Sequence, residues 1–212
     1  MQKNVLHVGC GTKTIKDMPA GFNDGTWTEV RYDMAEIMKP DILGSMLDMS
    51  AVQSGSMDAL FSSHNIEHVF THEVVPVLKE FRRVLKNDGF CVITCPDIEA
   101  VCKLVAEGKG LADPVYDSPN GGITAIDILY GHTGFISKGM EFMAHKTGLS
   151  SKLLLEYLEK AGFAHVFGHR RPAKLDLWFV AFKKTVAPGV AKKFFELYTE
   201  MVTAPPKSHK NK

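Results

Sequence analysis

The 212-residue chain has nearly balanced charge, with 25 Lys and Arg against 24 Asp and Glu, and 45% of its residues are hydrophobic. This composition is typical of a globular protein with one sizeable core. A net charge of +1 lacks the basic excess of dedicated nucleic-acid binders, so nucleic acid is not expected as a partner. No apolar run approaches about 18 residues and no signal peptide precedes the first strand, so membrane contact is not expected either.

The cysteines favour a reduced, cytoplasmic protein. None of the four forms a Cys-x-x-Cys pair, so a structural zinc site is not expected. Three of them lie in or beside apolar, strand-like runs, where a free cysteine acts as a small hydrophobe.

Strand and helix patterns alternate through the first half of the chain. Four strands are predicted, with a mostly loop region over 12–26, at Asn4–Cys10, Thr28–Tyr32, Asp41–Met46 and Asp58–Ser63. An apolar stripe at i, i+3, i+4 and i+7 predicts a helix over Glu73–Leu85. The run Phe90–Cys95 does not alternate, as expected for a central strand buried on both faces, and a helix over 97–107 follows.

The second half begins with a change of composition. Glycine, proline and aspartate dominate 108–122, which predicts a long loop of the kind that often covers a binding site. A short helix over Ile123–Tyr130 and a serine-capped helix over Ser150–Ala161 follow. The last two strands are predicted at Phe163–Gly168 and Leu175–Phe182.

This order of elements predicts one main domain over 1–184, with an insert at 108–149 over the site. Residues 185–204 form an amphipathic helix, and the basic tail 205–212 is expected to be disordered. The mixed polar face of that helix favours docking on the body or a homodimer contact over a membrane anchor.

The first strand runs directly into a glycine turn, and an acid follows the second strand. Gly9 and Gly11 let the backbone approach a ligand, and Asp33 can accept hydrogen bonds from a ribose. A phosphate-binding loop does not fit the glycine spacing. The dinucleotide pattern needs glycine or alanine where Thr14 stands, so an NAD-dependent oxidoreductase is the weaker alternative.

Three segments carry a resemblance to a known family: Val5-Leu6-His7-Val8-Gly9-Cys10-Gly11-Thr12, Ser63-His64-Asn65-Ile66-Glu67-His68, and Arg83 to Gly89 followed by a strand and Pro96-Asp97. Over roughly residues 4–183 the chain resembles class I, Rossmann-like S-adenosylmethionine-dependent methyltransferases. Residues 122–132 and 145–163 are similar to a small-domain subset of mostly unknown acceptor. The resemblance implies an α/β fold, a doubly wound, mostly parallel seven-stranded sheet with an antiparallel last strand pair and helices on both faces.

The resemblance also implies S-adenosylmethionine as cofactor, at the carboxyl ends of strands one, two and four. The cofactor-binding positions that it implies are Gly9, Cys10, Gly11, Lys13, Asp33, Asp48, Met49, Ser63 and His64. The glycines would pack against the methionine part, Asp33 would hold the ribose, and Asp48 with Met49 would flank the adenine. Ser63 and His64 would face the methyl-transfer site.

Two positions depart from the family pattern. The family usually has an acid at position 7 and a third glycine at position 13, where this chain has His7 and Lys13. One hypothesis is that Lys13 contacts the methionine carboxylate. The same departures motivate an alternative function, a non-catalytic protein that binds S-adenosylmethionine or S-adenosylhomocysteine.

Histidines are the candidate bases. A hydroxyl acceptor would benefit from a base with a pKa near 7, and the positions of His64, His132 and His145 make them the catalytic candidates. The acceptor is expected to be a small molecule, although a protein or a polysaccharide precursor stays open, as does an O, N, C or S target.

The run from His64 to His68 also matches the His-x-x-Glu-His pattern of inverted zinc proteases. No third ligand is obvious in the sequence, and the run follows a central strand rather than lying within a long helix. The sequence therefore predicts no metal site, and the run is expected to be a helix start that lines the cofactor cleft.

Overall fold

The computed structural model describes residues 2–118 and 121–199. Within this part of the chain the strands are β1 (Lys3–Val8), β2 (Trp27–Asp33), β3 (Ile42–Leu43), β4 (Met57–Ser63), β5 (Leu85–Pro96), β6 (Pro114–Ser118), β7 (Gly121–Thr124), β8 (His165–Arg171) and β9 (Asp176–Phe182). The α-helices are α1 (Val74–Val84), α2 (Ile98–Ala106), α3 (Ala125–Tyr130), α4 (Thr133–Ile136), α5 (Ser151–Lys160) and α6 (Pro188–Tyr198).

Seven of the described strands form one sheet in the order β3-β2-β1-β4-β5-β9-β8. The first five strands in this order, from β3 to β5, run parallel to one another, whereas β9 runs antiparallel to both β5 and β8. The predicted fold, a mostly parallel sheet with an antiparallel last pair, is confirmed. Because β1 lies between β2 and β4, the strand order reverses there, and such a point opens a crevice at the carboxyl ends of the strands.

Helices cover both faces of the sheet. On one face α1 buries Val77, Leu78 and Phe81 completely, in a core cluster shared with α5. This is the stripe that the sequence predicted, and it forms because residues three and four apart share one side of a helix. On the other face Tyr198 of α6 packs on Phe22, with ring centroids 4.6 Å apart.

The C-terminal segment of the described chain contains one helix. The helix α6 occupies Pro188–Tyr198 within the predicted range 185–204 and docks on the body of the domain. Residues 200–204 and the predicted disordered tail 205–212 lie outside the described residues. Among the helices of the described chain, none combines the length and the apolar character that a membrane span requires.

The predicted loop 108–122 is wrong in one respect, because it contains most of a β-hairpin. Strand β6 pairs antiparallel with β7, and Tyr116 lies opposite Ile123. The glycine-rich composition concealed these short strands. They are stabilised by a small separate core in which Ile123 packs with Val101 of α2 and Ile128 of α3.

Candidate functional site

A cavity of about 580 Å³ lies at the carboxyl ends of β1, β2 and β4. Small-molecule and cofactor sites typically enclose about 300–1,000 Å³. One wall comes from the ends of these strands, and the opposite wall comes from residues 135–146 of the predicted insert. The topology therefore places a cofactor-sized cavity where the sheet order reverses.

The glycine turn after β1 forms the base of this cavity. Gly9 and Gly11 both have positive φ, 63° and 53°, which glycine adopts without steric cost. A Cβ on Gly9 would lie 2.0 Å from Oδ1 of Asn65. The Asn65 amide in turn donates a 2.9 Å hydrogen bond to the carbonyl of Val8. A side chain at position 9 would therefore displace the Asn65 side chain from its hydrogen bond to Val8.

Asp33, at the end of β2, is held with its carboxylate beside the glycine turn. Its Oδ2 accepts a 2.8 Å hydrogen bond from the Gly11 N–H, and its Oδ1 accepts a 2.9 Å hydrogen bond from the Ala35 N–H. The Cys10 thiol donates a weak third hydrogen bond to Oδ2, with an S···O distance of 3.9 Å. An ionised carboxylate has about four acceptor sites, so about one remains for a ligand, and a ligand hydroxyl could also replace the weak thiol donor. Asp33 is 8% exposed and lines the cavity, as the sequence led us to expect for a ribose-binding acid.

The turn is braced from outside by Arg31. Its guanidinium donates to the carbonyl of Gly11 at 2.6 Å and to the carbonyl of Lys39 at 2.9 Å. Burial raises the pKa of the neighbouring Cys10 thiol to about 11. Cys10 therefore lines the cavity as a neutral thiol at physiological pH rather than as a nucleophile.

His7 and Lys13, the two positions that depart from the family pattern, both line the cavity. Lys13 does not have positive φ, and its N–H donates to the Cys10 carbonyl at 3.0 Å, so the turn accommodates a side chain there without strain. His7 is buried, and its Nδ1 lies 2.7 Å from Oε1 of Glu29 on β2. A carboxylate therefore stands beside position 7, supplied by the adjacent strand rather than by position 7 itself.

Asp48 and Met49, the residues implied for the adenine, lie away from the cavity. Met49 is fully buried in the core, and the Asp48 carboxylate is exposed and accepts from the Ser50 N–H, so neither residue lines the cavity. The reason is a tight turn after β3, in which Ser45 and Asp48 form an isolated bridge. The cavity is instead lined at this side by apolar residues that no sequence pattern singled out: Met34, Met38, Met46 and Leu47.

Ser63, the last residue of β4, and His64, the next residue, both line the cavity. The Ser63 hydroxyl is 2.9 Å from the hydroxyl of Thr94 on β5. His64 has a φ of 54°, which is rare for a residue other than glycine, and its N–H donates to the Thr94 carbonyl at 2.9 Å. Its side chain is 46% exposed. Backbone strain of this kind is concentrated at functional sites.

The three candidate catalytic histidines separate in the structure. His64 lines the cavity, whereas His132 and His145 do not. The His132 ring packs on Phe135, a cavity residue, at a centroid distance of 4.6 Å. His145 lies behind the wall, where burial lowers its pKa.

Glu67 forms a cluster that the sequence did not reveal. The ligand atoms of Glu67, His68 and His145 all lie within 4.8 Å of one another. The run Ile66–His68 is a short 3-10 turn rather than the expected helix start, and His68 lines the cavity. No local pattern links His145 to Glu67, so only the fold could show that a third histidine completes the group.

Asp127 anchors the segment above the cavity. Four hydrogen bonds reach its carboxylate, from the N–H and hydroxyl of Thr124 and from those of Thr133. Burial raises the pKa of this carboxyl, but the hydrogen bonds outweigh burial and hold the pKa well below its ordinary value. This carboxylate therefore ties the start of α3 to the start of α4, next to Phe135.

We expect Asp127→Asn to lower the free energy of unfolding by about 1–3 kcal/mol at pH 7, because an amide offers one acceptor oxygen to four donors. A carboxyl whose pKa is lower in the folded chain stabilises it above the unfolded pKa, about 3.9, and loses that effect as the pH falls through the folded value. The difference between the two proteins should therefore be constant from pH 7 to 5 and shrink below pH 4.

Urea unfolding at several pH values measures this difference. Asp117→Asn, which removes the same charge from an exposed hairpin position, is the matched control and should change stability by less than about 0.5 kcal/mol. Equal stability of the Asp127 and Asp117 variants would contradict the anchoring role.

Comparison with known proteins agrees with the fold. Residues 6–93 match the family model described as a methyltransferase domain. No curated protein matches the sequence significantly.

Solved structures with similar folds are methyltransferases or related proteins of low sequence identity. The PH0226 protein of Pyrococcus horikoshii OT3 is 15% identical with a TM-score of 0.59, over 87% of this chain and 83% of its own. A Thermotoga maritima protein described as an S-adenosylmethionine-dependent methyltransferase and possible histamine N-methyltransferase is 14% identical, with a TM-score of 0.54 over 87% and 84%.

A third similar structure is the CMeT domain of the citrinin polyketide synthase, 13% identical with a TM-score of 0.58. The match covers 87% of this chain but only 47% of that one, so the chain spans about half its length. The segment that matches the family model, residues 6–93, contains the glycine turn, Asp33 and the His64–His68 run. The chain therefore has the class I, Rossmann-like methyltransferase fold, and its residues 6–93 match the model of a methyltransferase domain.

Proposed function

We propose that this protein is an S-adenosylmethionine-dependent methyltransferase that acts on a small-molecule acceptor. The observation that carries the proposal is the pairing of Asp33 with the glycine turn at the sheet's reversal point. Gly9 and Gly11 have the positive φ that brings backbone close to a ligand, and the Asp33 carboxylate lines the cavity with acceptor capacity that its donors in the described chain, two backbone N–H groups and a weakly bonded thiol, do not exhaust.

Each part of the cavity has a counterpart in the cofactor. The glycine turn would pack against the methionine part, with the Lys13 ammonium available for its carboxylate. Asp33 would accept hydrogen bonds from the ribose hydroxyls. The adenine would lie among Met38, Met46 and Leu47, because flexible apolar side chains adapt to a flat ring.

The cofactor, when bound, supplies an activated methyl group on a sulfonium. The protein's own task is then to align the acceptor and exclude water. Phe135, Met140 and Phe142 line the wall opposite the strands and fit that task, because they are apolar and face the cavity. His64, half-exposed at the end of β4, would accept a proton from a hydroxyl acceptor.

A thermal melt of the full chain tests the proposal. Either S-adenosylmethionine or S-adenosylhomocysteine at 100 times its Kd should stabilise the folded chain by about 2.7 kcal/mol, whereas NAD at the same concentration should not. Methyl transfer to a library of small acceptors is the second measurement.

The outcomes distinguish the candidate functions. Stabilisation together with methyl transfer supports the enzyme. Stabilisation without transfer to any acceptor supports a cofactor-binding, non-catalytic protein, and stabilisation by NAD alone would support an oxidoreductase. No stabilisation by either sulfur compound would overturn the proposal.

A further inference from the structure

We propose that Glu67, His68 and His145 form a binding site for a divalent first-row transition metal ion. Their ligand atoms lie within 4.8 Å of one another, and one of the three residues, His68, lines the large cavity. Two backbone hydrogen bonds hold the segments together, since the Lys146 and Thr147 N–H groups donate to the Glu67 carbonyl at 2.8 and 3.2 Å. The site is thus fixed by the fold rather than by chance approach of surface side chains.

The Glu67 carboxylate needs a cation that the described chain does not fully provide. Glu67 is 2% exposed, and neither of its carboxylate oxygens has a hydrogen-bond partner among residues 2–118 and 121–199. The Nδ1 of His64 is 3.5 Å from Oε1, a distance at which it attracts the carboxylate only when the imidazole is protonated. A buried carboxylate without a hydrogen-bond partner is costly, and a bound metal ion would reduce that cost.

Both histidines are held in the tautomer that a metal ion requires. The Nδ1 of His68 is 3.1 Å from the Ala144 carbonyl, and the Nδ1 of His145 is 2.8 Å from the Ile128 carbonyl. A carbonyl can only accept, so each Nδ1 carries the proton and each Nε2 keeps its lone pair. A backbone carbonyl on the other ring nitrogen is the usual support of a metal-bound histidine.

Glu67 and His145, but not His68, line a separate void of about 10 Å³. An ion bound to all three residues therefore requires the ligand atoms to move closer together. Ligands about 2.1 Å from a tetrahedral ion stand about 3.4 Å apart, so the widest pair would close by up to about 1.4 Å. Small side-chain rotations achieve this.

The donor set selects the class of ion. Two imidazole nitrogens with one carboxylate suit zinc, cobalt, iron or nickel, whereas magnesium and calcium prefer oxygen ligands. With three protein ligands, the ion would keep at least one position open. His68 lines the large cavity as well, so that position would be accessible from the acceptor side.

This position gives the ion a role that rests on the proposed function. A metal ion there would bind an acceptor hydroxyl and lower its pKa, and the proton would pass to His64, so an oxygen acceptor is the expected class. Metal binding itself does not depend on that role and is measured separately.

The test is a Co²⁺ titration of the full chain after chelator treatment, followed by the visible absorption of the bound ion. We expect one Co²⁺ per chain, displaced by Zn²⁺ but not by equimolar Mg²⁺. Glu67→Gln and His145→Gln should each weaken Co²⁺ binding at least tenfold. His72→Ala, an exposed histidine outside the cluster, is the matched control and should bind as the unaltered chain does.

Circular dichroism and the melt with S-adenosylhomocysteine are recorded on every variant. A variant that melts like the unaltered chain but loses Co²⁺ supports the site; if either glutamine variant fails to fold, His68→Ala replaces it. Failure of the unaltered chain to take up one Co²⁺, or equal affinity in the folded cluster variants and the control, would overturn the site. In that case, a melting temperature that still rises with S-adenosylhomocysteine would mean that the proposed function is unaffected.

Discussion

Asp33→Asn should raise the Kd for S-adenosylhomocysteine by about tenfold to a hundredfold. A hydrogen bond to a charged group contributes about 1.5–3 kcal/mol, and the amide loses the charge that would hold the ribose hydroxyls. The substitution also replaces one of the two carboxylate oxygens with an NH2 group, so the N–H of either Gly11 or Ala35 loses its acceptor. Isothermal titration calorimetry on the folded variant measures the change.

Asp48→Asn is the matched control for this experiment. It removes the same charge from an acid that also follows a strand, but the Asp48 carboxylate is exposed and does not line the cavity. We expect its Kd to stay within about twofold of the unaltered chain. If both variants bind S-adenosylhomocysteine with the same Kd, the role proposed for Asp33 is wrong. If only Asp48→Asn binds more weakly, Asp48 contacts the adenine although it lies away from the cavity in the structure.

The contrast between these two acids shows what the sequence could predict. Asp33 directly follows six paired residues of β2, so the strand register places it at the carboxyl end of the sheet. Asp48 follows β3, which has only two residues, and the turn from Ser45 folds back before it. The Tyr32 hydroxyl fixes this turn by donating to the carbonyls of Ser45 and Asp48, contacts that no pattern in the sequence reveals.

Strong periodicity made the sheet and the long helices predictable, because burial of an apolar stripe leaves few alternatives. The hairpin β6–β7 lacked such a stripe, and its stability comes from contact with α2 and α3. The sequence also did not reveal which distant residues come together in the fold. Glu67 and His68 were visible as a pattern, but His145 reaches them only because the chain after α4 returns to hydrogen-bond with the Glu67 carbonyl.

Gly9→Ala should lower the free energy of unfolding by about 2–5 kcal/mol. A left-handed backbone costs an L-residue about 1–2 kcal/mol, and overpacking a tight site adds about 1–3 kcal/mol. Here the added Cβ would lie 2.0 Å from Asn65 Oδ1, so the Asn65 side chain must move and its hydrogen bond to the Val8 carbonyl must break. Urea denaturation measures the loss.

Gly11→Ala separates the two costs. Gly11 has nearly the same φ, 53°, but a Cβ added there would meet nothing within 4 Å, so only the backbone cost of about 1–2 kcal/mol should appear. Combining Gly9→Ala with Asn65→Ala removes the clash, and a double-mutant cycle should then show a favourable coupling of about 1–3 kcal/mol. Additive effects in that cycle would mean that Asn65 is not what requires glycine at position 9. The turn would then be set by backbone conformation alone, and Gly9→Ala should cost no more than Gly11→Ala.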